Sequence, residues 1–252
     1  MNKPLYLTTE TGHRIAYRHQ AGQGVGVVFL AGYRSDMAST KAQTLAEHCA
    51  AHDIPFTRFD YFGHGQSDGE FIDYTIGAAL GDALQILDEV AGREVILVGS
   101  SMGGWVSLLC ALQRPLQVRG LVGVAAAPDF TERLMYKKLS PEQRAMLERD
   151  GVLYLHSDFY DNDYPVPMRF ITEARQHLLL DHPIPLSIPI HLLQGQQDED
   201  VPWETALAIS EKLTGDEVLL TLVKDGDHRL NRPHDLALLT EAVTRMRNAL
   251  SI

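Results

Sequence analysis

Apolar and polar positions along the chain repeat with two different periods, and the switches between them divide it into short units. "LYLTT" (5–9) and "HRIAYRH" (13–19) alternate and are joined by a glycine-containing turn, which predicts two short strands. "VGVVFLA" (25–31) is a continuous apolar, β-branched run, the pattern of a strand buried on both faces. In "MASTKAQTLAEHCAAHD" (37–53), Leu45, Ala46 and Cys49 share one helical face. "IPFTRFD" (54–60) predicts a strand that runs into the loop "YFGHGQSDGEF" (61–71). "TIGAALGDALQILDEVAG" (75–92) then reads as a helix stopped near Gly92. "EVILVG" (94–99) is another buried strand, "MGGWVSLLCALQRP" (102–115) a helix halted at Pro115, and "VRGLVGVAA" (118–126) a sixth strand.

The rhythm breaks between Asp129 and Ile188, a stretch interrupted by Pro141, Pro165, Pro167, Pro183 and Pro185 and rich in aromatic residues. It resumes with "IPIHLLQG" (188–195), "PWETALAISEKL" (202–213), "DEVLLTLV" (216–223) and "RPHDLALLTEAVTRMRNAL" (232–250), which read as strand, helix, strand, helix. Strands alternating with helices imply right-handed crossovers and a mostly parallel sheet with helices on both faces. The chain is expected to form one domain, 1–252. Residues of about 129–188 form a cap inserted after the sixth strand, because an interruption of that size usually covers a functional face.

The junction of "EVILVG" with the following helix is the most informative point. It spells Gly99-Ser100-Ser101-Met102-Gly103, the G-x-S-x-G elbow, in its proper strand–turn–helix setting. The glycine spacing puts Ser101, not Ser100, at the apex. The flanking glycines keep side chains away from the adjoining strand and helix, and the helix N-terminus favours negative charge at the site. A serine hydroxyl needs a base, and the base an orienting acid. With this elbow the order is serine, acid, histidine. Asp198 follows the strand "IPIHLLQG" directly, ahead of its competitors Glu199 and Asp200. His228 is the histidine of the loop "KDGDHRL" that follows the next strand. Asp129, beyond the sixth strand, is a second position where such folds carry the acid. The backbone N–H groups of Met102 and Tyr33 are the expected oxyanion donors, Gly32 allowing close approach. Arg34, Ser35 and Asp36 either line the same mouth or merely start the next helix. His64 is read as shaping its own loop.

Composition narrows this little. Of 252 residues, 45% are hydrophobic and 22% charged, as in folded globular chains, and the formal net charge of -11 opposes general binding to nucleic acid or anionic membranes. Cys49 and Cys110 fall inside apolar helical patterns and are read as reduced core residues. No apolar run reaches the roughly 20 residues of a membrane span. The N-terminal sequence carries neither a signal-peptide core nor an Arg-rich presequence, so a cytoplasmic location is expected. The chemistry calls for no metal and no organic cofactor.

"LAGYRSDM", "RFDYFGHGQSDG", "LVGSSMGGW", "APDFTE", "LLQGQQDEDVPW" and "VKDGDHRL" together resemble the α/β-hydrolase superfamily, in the branch of the palmitoyl-protein thioesterases and acyl-glucuronide esterases. The resemblance runs from about Ala31 to Leu238. It implies an α/β-hydrolase fold and a serine hydrolase acting on thioesters or carboxylic esters, with Ser101, Asp198 and His228 as the triad. Where many hydrolases have His-Gly at the first oxyanion loop, this chain has Ala31-Gly32, and backbone donation survives the change. The substrate is a small molecule or an acylated group. Phe130, Tyr136, Tyr154, Phe159, Tyr160, Tyr164 and Phe170 are either an acyl pocket or the cap's own core. Arg34, where it lines the mouth, is a further candidate substrate contact. Arg169, Arg175 and Lys137 either meet an acidic substrate group or are solvated charge. Two other functions stay open. One is a different serine-triad reaction, such as amide cleavage, carbon–carbon hydrolysis or acyl transfer to another acceptor. The other is a binding protein on this scaffold, against which the presence of all three triad candidates weighs.

Overall fold

The computed structural model describes residues 3–156 and 163–250. Its sheet strands are β1 (Leu5–Thr8), β2 (Arg14–Gln20), β3 (Gly26–Leu30), β4 (Phe56–Phe59), β5 (Val95–Ser100), β6 (Val118–Val124), β9 (Ile190–Gly195) and β10 (Val218–Val223). They form one eight-stranded sheet in the order β1-β2-β4-β3-β5-β6-β9-β10. β1 and β2 are antiparallel, as are β2 and β4, while every pairing from β4 to β10 is parallel. The central strands β3 and β5 are buried at every residue, as their continuous apolar runs require.

Two helix layers cover the sheet. α1 (Thr40–Ala51) packs on β4 and on α7 (Pro233–Leu250), and α7 reaches β6. α2 (Ile76–Glu89) packs on α3 (Met102–Gln113), which lies over β3, β5 and β6, while α6 (Glu204–Lys212) covers β9 and β10. Trp105, Ile86 and Leu45 are fully buried. Cys49 and Cys110 are free and buried in the same core, and burial pushes the Cys49 thiol up to about 12. Among the described residues no helix is long and apolar enough to cross a membrane.

Between β6 and β9 the chain builds more regular structure than its prolines suggest. A short π-helical turn, Thr131–Met135, leads to α4 (Pro141–Asp150), then to the antiparallel pair β7 (Val152–Leu155) and β8 (Tyr164–Pro167), then to α5 (Met168–Ala174). Ser140 starts α4 with a complete capping box, its hydroxyl accepting from the Gln143 amide, and Gly151 ends the helix in the left-handed conformation at φ 74°. Side chains tie this segment to the body. The Trp105 indole donates to the His177 carbonyl at 2.9 Å, and the Glu173 carboxylate accepts from the Gly77 amide in the first turn of α2 at 3.0 Å. Asp129, fully buried, accepts from the Leu179 and Leu180 amides at 2.8 and 2.9 Å.

Candidate active site

Ser101 stands between the last residue of β5 and the first of α3, at φ 54° and ψ -120°. That backbone is costly for a residue with a Cβ, and hydrogen bonds to the neighbouring strand end hold it. The Ser101 amide donates to the Val124 carbonyl at 2.8 Å, and its carbonyl accepts from Gly104 at 2.9 Å and Ala127 at 3.0 Å. Gly103 lies against β3, where an added Cβ would come 2.6 Å from the Ala31 carbonyl oxygen and closer still to that of Leu30. This close approach brings the helix start, the elbow and the end of β3 into one cluster.

Two other strand ends complete it. His228 Nε2 is 3.2 Å from Ser101 Oγ, and His228 Nδ1 is 2.8 Å from Asp198 Oδ2. The Asp198 side chain is fully buried, whereas His228 retains 22% exposure. With Nδ1–H donating to the carboxylate, Nε2 is the lone-pair nitrogen facing the hydroxyl. Four donors converge on Asp198. Besides His228, Oδ2 accepts from Gln194 Nε2 at 2.9 Å, while Oδ1 accepts from the amides of Asp200 at 3.0 Å and Val201 at 2.8 Å. The competing acids sit elsewhere. Asp200 is at the cavity rim, where burial raises its carboxyl, and Asp129 is spent on the Leu179 and Leu180 amides. Asp198, Asp200 and His228 offer ligand atoms within 4.8 Å of one another, the one metal-compatible grouping among the described residues. Two of its three members, Asp198 and His228, already hydrogen-bond each other.

The Gly32–Tyr33 turn approaches the elbow so closely that a Cβ on Gly32 would lie 3.3 Å from Ser101 Cβ. The Met102 N–H opens α3 and has no helical acceptor; neither it nor the Tyr33 N–H has a hydrogen-bond partner among the described residues. The loop is braced from behind. Arg34, at φ 58°, donates its amide to His64 Nε2 at 3.3 Å, and His64 Nδ1 donates to the Phe62 carbonyl at 3.1 Å. Burial lowers the His64 pKa, consistent with the neutral ring those two bonds require. Buried Asp60 accepts from the Met37 and Gln66 amides at 2.7 and 2.9 Å, linking this loop to the next.

A cavity of about 810 Å³ opens over Ser101 and His228. Phe130, Leu134, Met135, Leu139 and Leu155 give it an apolar wall, joined by Tyr164, whose ring the Arg34 guanidinium covers at 4.4 Å. Arg34, Phe130 and Tyr164 therefore face the space the sequence suggested. Tyr136 does not. Its hydroxyl donates to Glu148 at 3.0 Å, and Arg144 and Arg175 lie over its ring, so it belongs to the outer surface of the segment. Tyr154 is exposed, and Phe170 is buried in the core, stacked on Tyr33 at 5.3 Å. Phe159 and Tyr160 lie outside the described residues. Arg169 pairs with Asp73 and Arg175 with Glu132, while Lys137 is exposed away from the cavity. Gln194 and Lys41 were not singled out from the sequence. A polar residue next to the end of the mostly apolar strand "IPIHLLQG" was the available signal for Gln194, and Lys41 had none.

A sheet of this order, with a serine elbow and a histidine and an aspartate at neighbouring strand ends, defines an α/β hydrolase. The Alpha/beta hydrolase family model matches residues 27–240, and the chain belongs to that family. Over 238 residues it is 39% identical to the mouse protein named "Palmitoyl-protein thioesterase ABHD10, mitochondrial", covering 94% of this chain and 80% of that one. The human protein of the same name is 38% identical over 238 residues, 94% of this chain and 78% of its own. Among solved structures, mouse alpha/beta hydrolase domain-containing protein 10 superposes with a TM-score of 0.92 at 36% identity, over 99% of this chain and 100% of that one. A putative hydrolase from Agrobacterium vitis S4 also reaches 0.92, at 37% identity over 97% and 98%. The named relatives correct one expectation. They are described as mitochondrial, which points away from the cytoplasmic location inferred from the N-terminal sequence; the composition of one stretch of chain was too weak a basis for that inference.

Proposed function

We propose that the protein is a serine hydrolase that cleaves thioesters or carboxylic esters through an acyl-serine intermediate. The observation that carries this reading is the relay of Asp198, His228 and Ser101, at 2.8 and 3.2 Å, aimed at a serine in a strained elbow. In this reading Ser101 Oγ attacks the acyl carbonyl while His228 Nε2 takes its proton. Asp198 orients the imidazole and stabilises its cation. The N–H groups of Tyr33 and Met102 hydrogen-bond the oxyanion, a contribution whose loss typically costs about 3 kcal/mol of barrier per donor. The leaving thiol or alcohol takes the proton from His228. Water, deprotonated by the same nitrogen, then releases the acid and restores Ser101.

The segment between β6 and β9 acts as the cap, with Phe130, Leu134, Met135, Leu139, Leu155 and Tyr164 as the acyl wall. The apolar wall suits an acyl chain, the cavity also being lined by the polar Lys138, Gln143, Asp200 and Arg229, and the relatives named as palmitoyl-protein thioesterases support a thioester as the bond cleaved. The test is initial rates on matched acyl thioesters and oxygen esters of increasing chain length, wild type beside Ser101→Ala. Thioester turnover that rises with chain length and drops by about 10⁵-fold or more in the variant is expected. Near-wild-type turnover in Ser101→Ala would remove serine catalysis from the account.

A further inference from the structure

Lys41 is the second residue of α1, and it is only 8% exposed. Its ammonium donates to the Arg229 carbonyl at 2.5 Å and to Asn231 Oδ1 at 3.2 Å. Arg229 is the residue after His228. The turn it belongs to is not relaxed, because Leu230, buried, sits at φ 43°, and the Asp227 carboxylate closes the turn by accepting from the Leu230 amide at 2.9 Å. On its other side, Lys41 begins the helix fed by residues 31–39, the loop that carries the Tyr33 amide. One buried cation thus bridges the base loop and the oxyanion loop.

This lysine is badly placed for stability alone. A helix's first turn disfavours positive charge. Burial pushes the ammonium down to about 8, a shift that Asp227 and Asp235 counter and Arg229 adds to. An apolar side chain of similar length would fill the space without desolvating an ion.

We propose that Lys41 is a positioning residue for His228, fixing the Arg229–Leu230 peptide just beyond the histidine so that Nε2 stays aimed at Ser101 and in register with the oxyanion loop. The proposal rests on the acyl-serine reading, and that reading is checked first. A small uncharged fluorophosphonate should label the wild type at Ser101 and leave Ser101→Ala unlabelled; failure here sinks the reading itself rather than the role of Lys41.

With wild-type labelling in hand, Lys41→Met, Lys41→Arg and Asn231→Leu are compared for labelling rate, for kcat and KM on an uncharged acyl thioester, and for Tm. In Lys41→Met, labelling rate and kcat should fall together by about 10–100-fold, the scale of a small misalignment of reacting groups. Lys41 lines the cavity, but its ammonium is spent on Arg229 and Asn231, so the variant's KM should stay within about threefold of wild type. Its Tm should change little, because removing the desolvated charge offsets the two acceptors left without a donor. Lys41→Arg should recover most of the rate, and Asn231→Leu should show a smaller loss in the same direction. Wild-type labelling and kcat in Lys41→Met would overturn the proposal. So would a rise in KM alone, which marks a substrate contact, or equal losses of rate and Tm in both lysine variants, which mark a structural role. Should Lys41→Met not fold, wild-type labelling in Asn231→Leu would overturn it.

Discussion

Single residues set the geometry at the elbow, and the tightest constraint falls on one that does no chemistry. Gly103 brings α3 against the Leu30 and Ala31 carbonyls, and Ala31 directly precedes the Gly32–Tyr33 turn. A methyl group there has nowhere to go without moving backbone. Gly103→Ala should therefore lower stability by about 1–3 kcal/mol, the usual range for overpacking, and should also displace the Gly32–Tyr33 turn. Urea unfolding together with kcat on the preferred ester measures both. A variant with unchanged midpoint and rate would contradict the packing argument. The sequence exposed this residue because the G-x-S-x-G spacing marks it. Lys41 was hidden because its partner, the Arg229 carbonyl, lies 188 positions away and leaves no local pattern. Gln194 is only four residues before its partner Asp198, but the two meet through a turn that apolar periodicity does not describe.

At the scale of elements, the strands and helices flanking the sheet were legible because their apolar periods are long and uninterrupted. The stretch between β6 and β9 was read as irregular. Five prolines there drew attention away from signals that were present: Ser140, Pro141 and Gln143 form the capping box of α4, and Gly151 is its left-handed stop. Aromatic residues in this segment could not be sorted by sequence either. Phe130 and Tyr164 face the cavity while Phe170 stacks beneath it, and one turn of backbone decides between these fates. Asp129 shows how an element is pinned. Its carboxylate satisfies two amides of the returning chain, and Leu180 is buried. Asp129→Ala should cost about 2–4 kcal/mol, because each buried amide left without an acceptor costs about 1–3 kcal/mol. Asp129→Asn, which keeps one acceptor, should cost less. Neither change should slow fluorophosphonate labelling of Ser101 much, whereas Asp198→Asn should slow it about 10⁴-fold, the scale of a mis-set histidine tautomer. Strong slowing by Asp129→Asn with the fold intact would return Asp129 to the position of triad acid.

The whole molecule places an apolar wall, contributed by the segment between β6 and β9, over three strand ends contributed by the sheet. The α/β-hydrolase fold read from the sequence is the fold observed, since strand order follows from parallel crossovers and buried runs. Ser101, Asp198 and His228, far apart in sequence, converge because each follows the carboxyl end of its strand: β5, β9 and β10. The segment's ties through Trp105, Glu173 and Asp129 were not legible, being side-chain bonds between distant parts of the chain. The central claim is that acyl groups pass through Ser101. The most direct measurement is mass spectrometry of the protein quenched in acid during turnover of a long-chain acyl thioester, with His228→Ala examined in parallel. The wild type should carry an acyl adduct on the peptide bearing Ser101, and His228→Ala little adduct, because the attacking hydroxyl has lost its base. Rapid turnover with no adduct on Ser101, or an adduct on another residue, would contradict that claim.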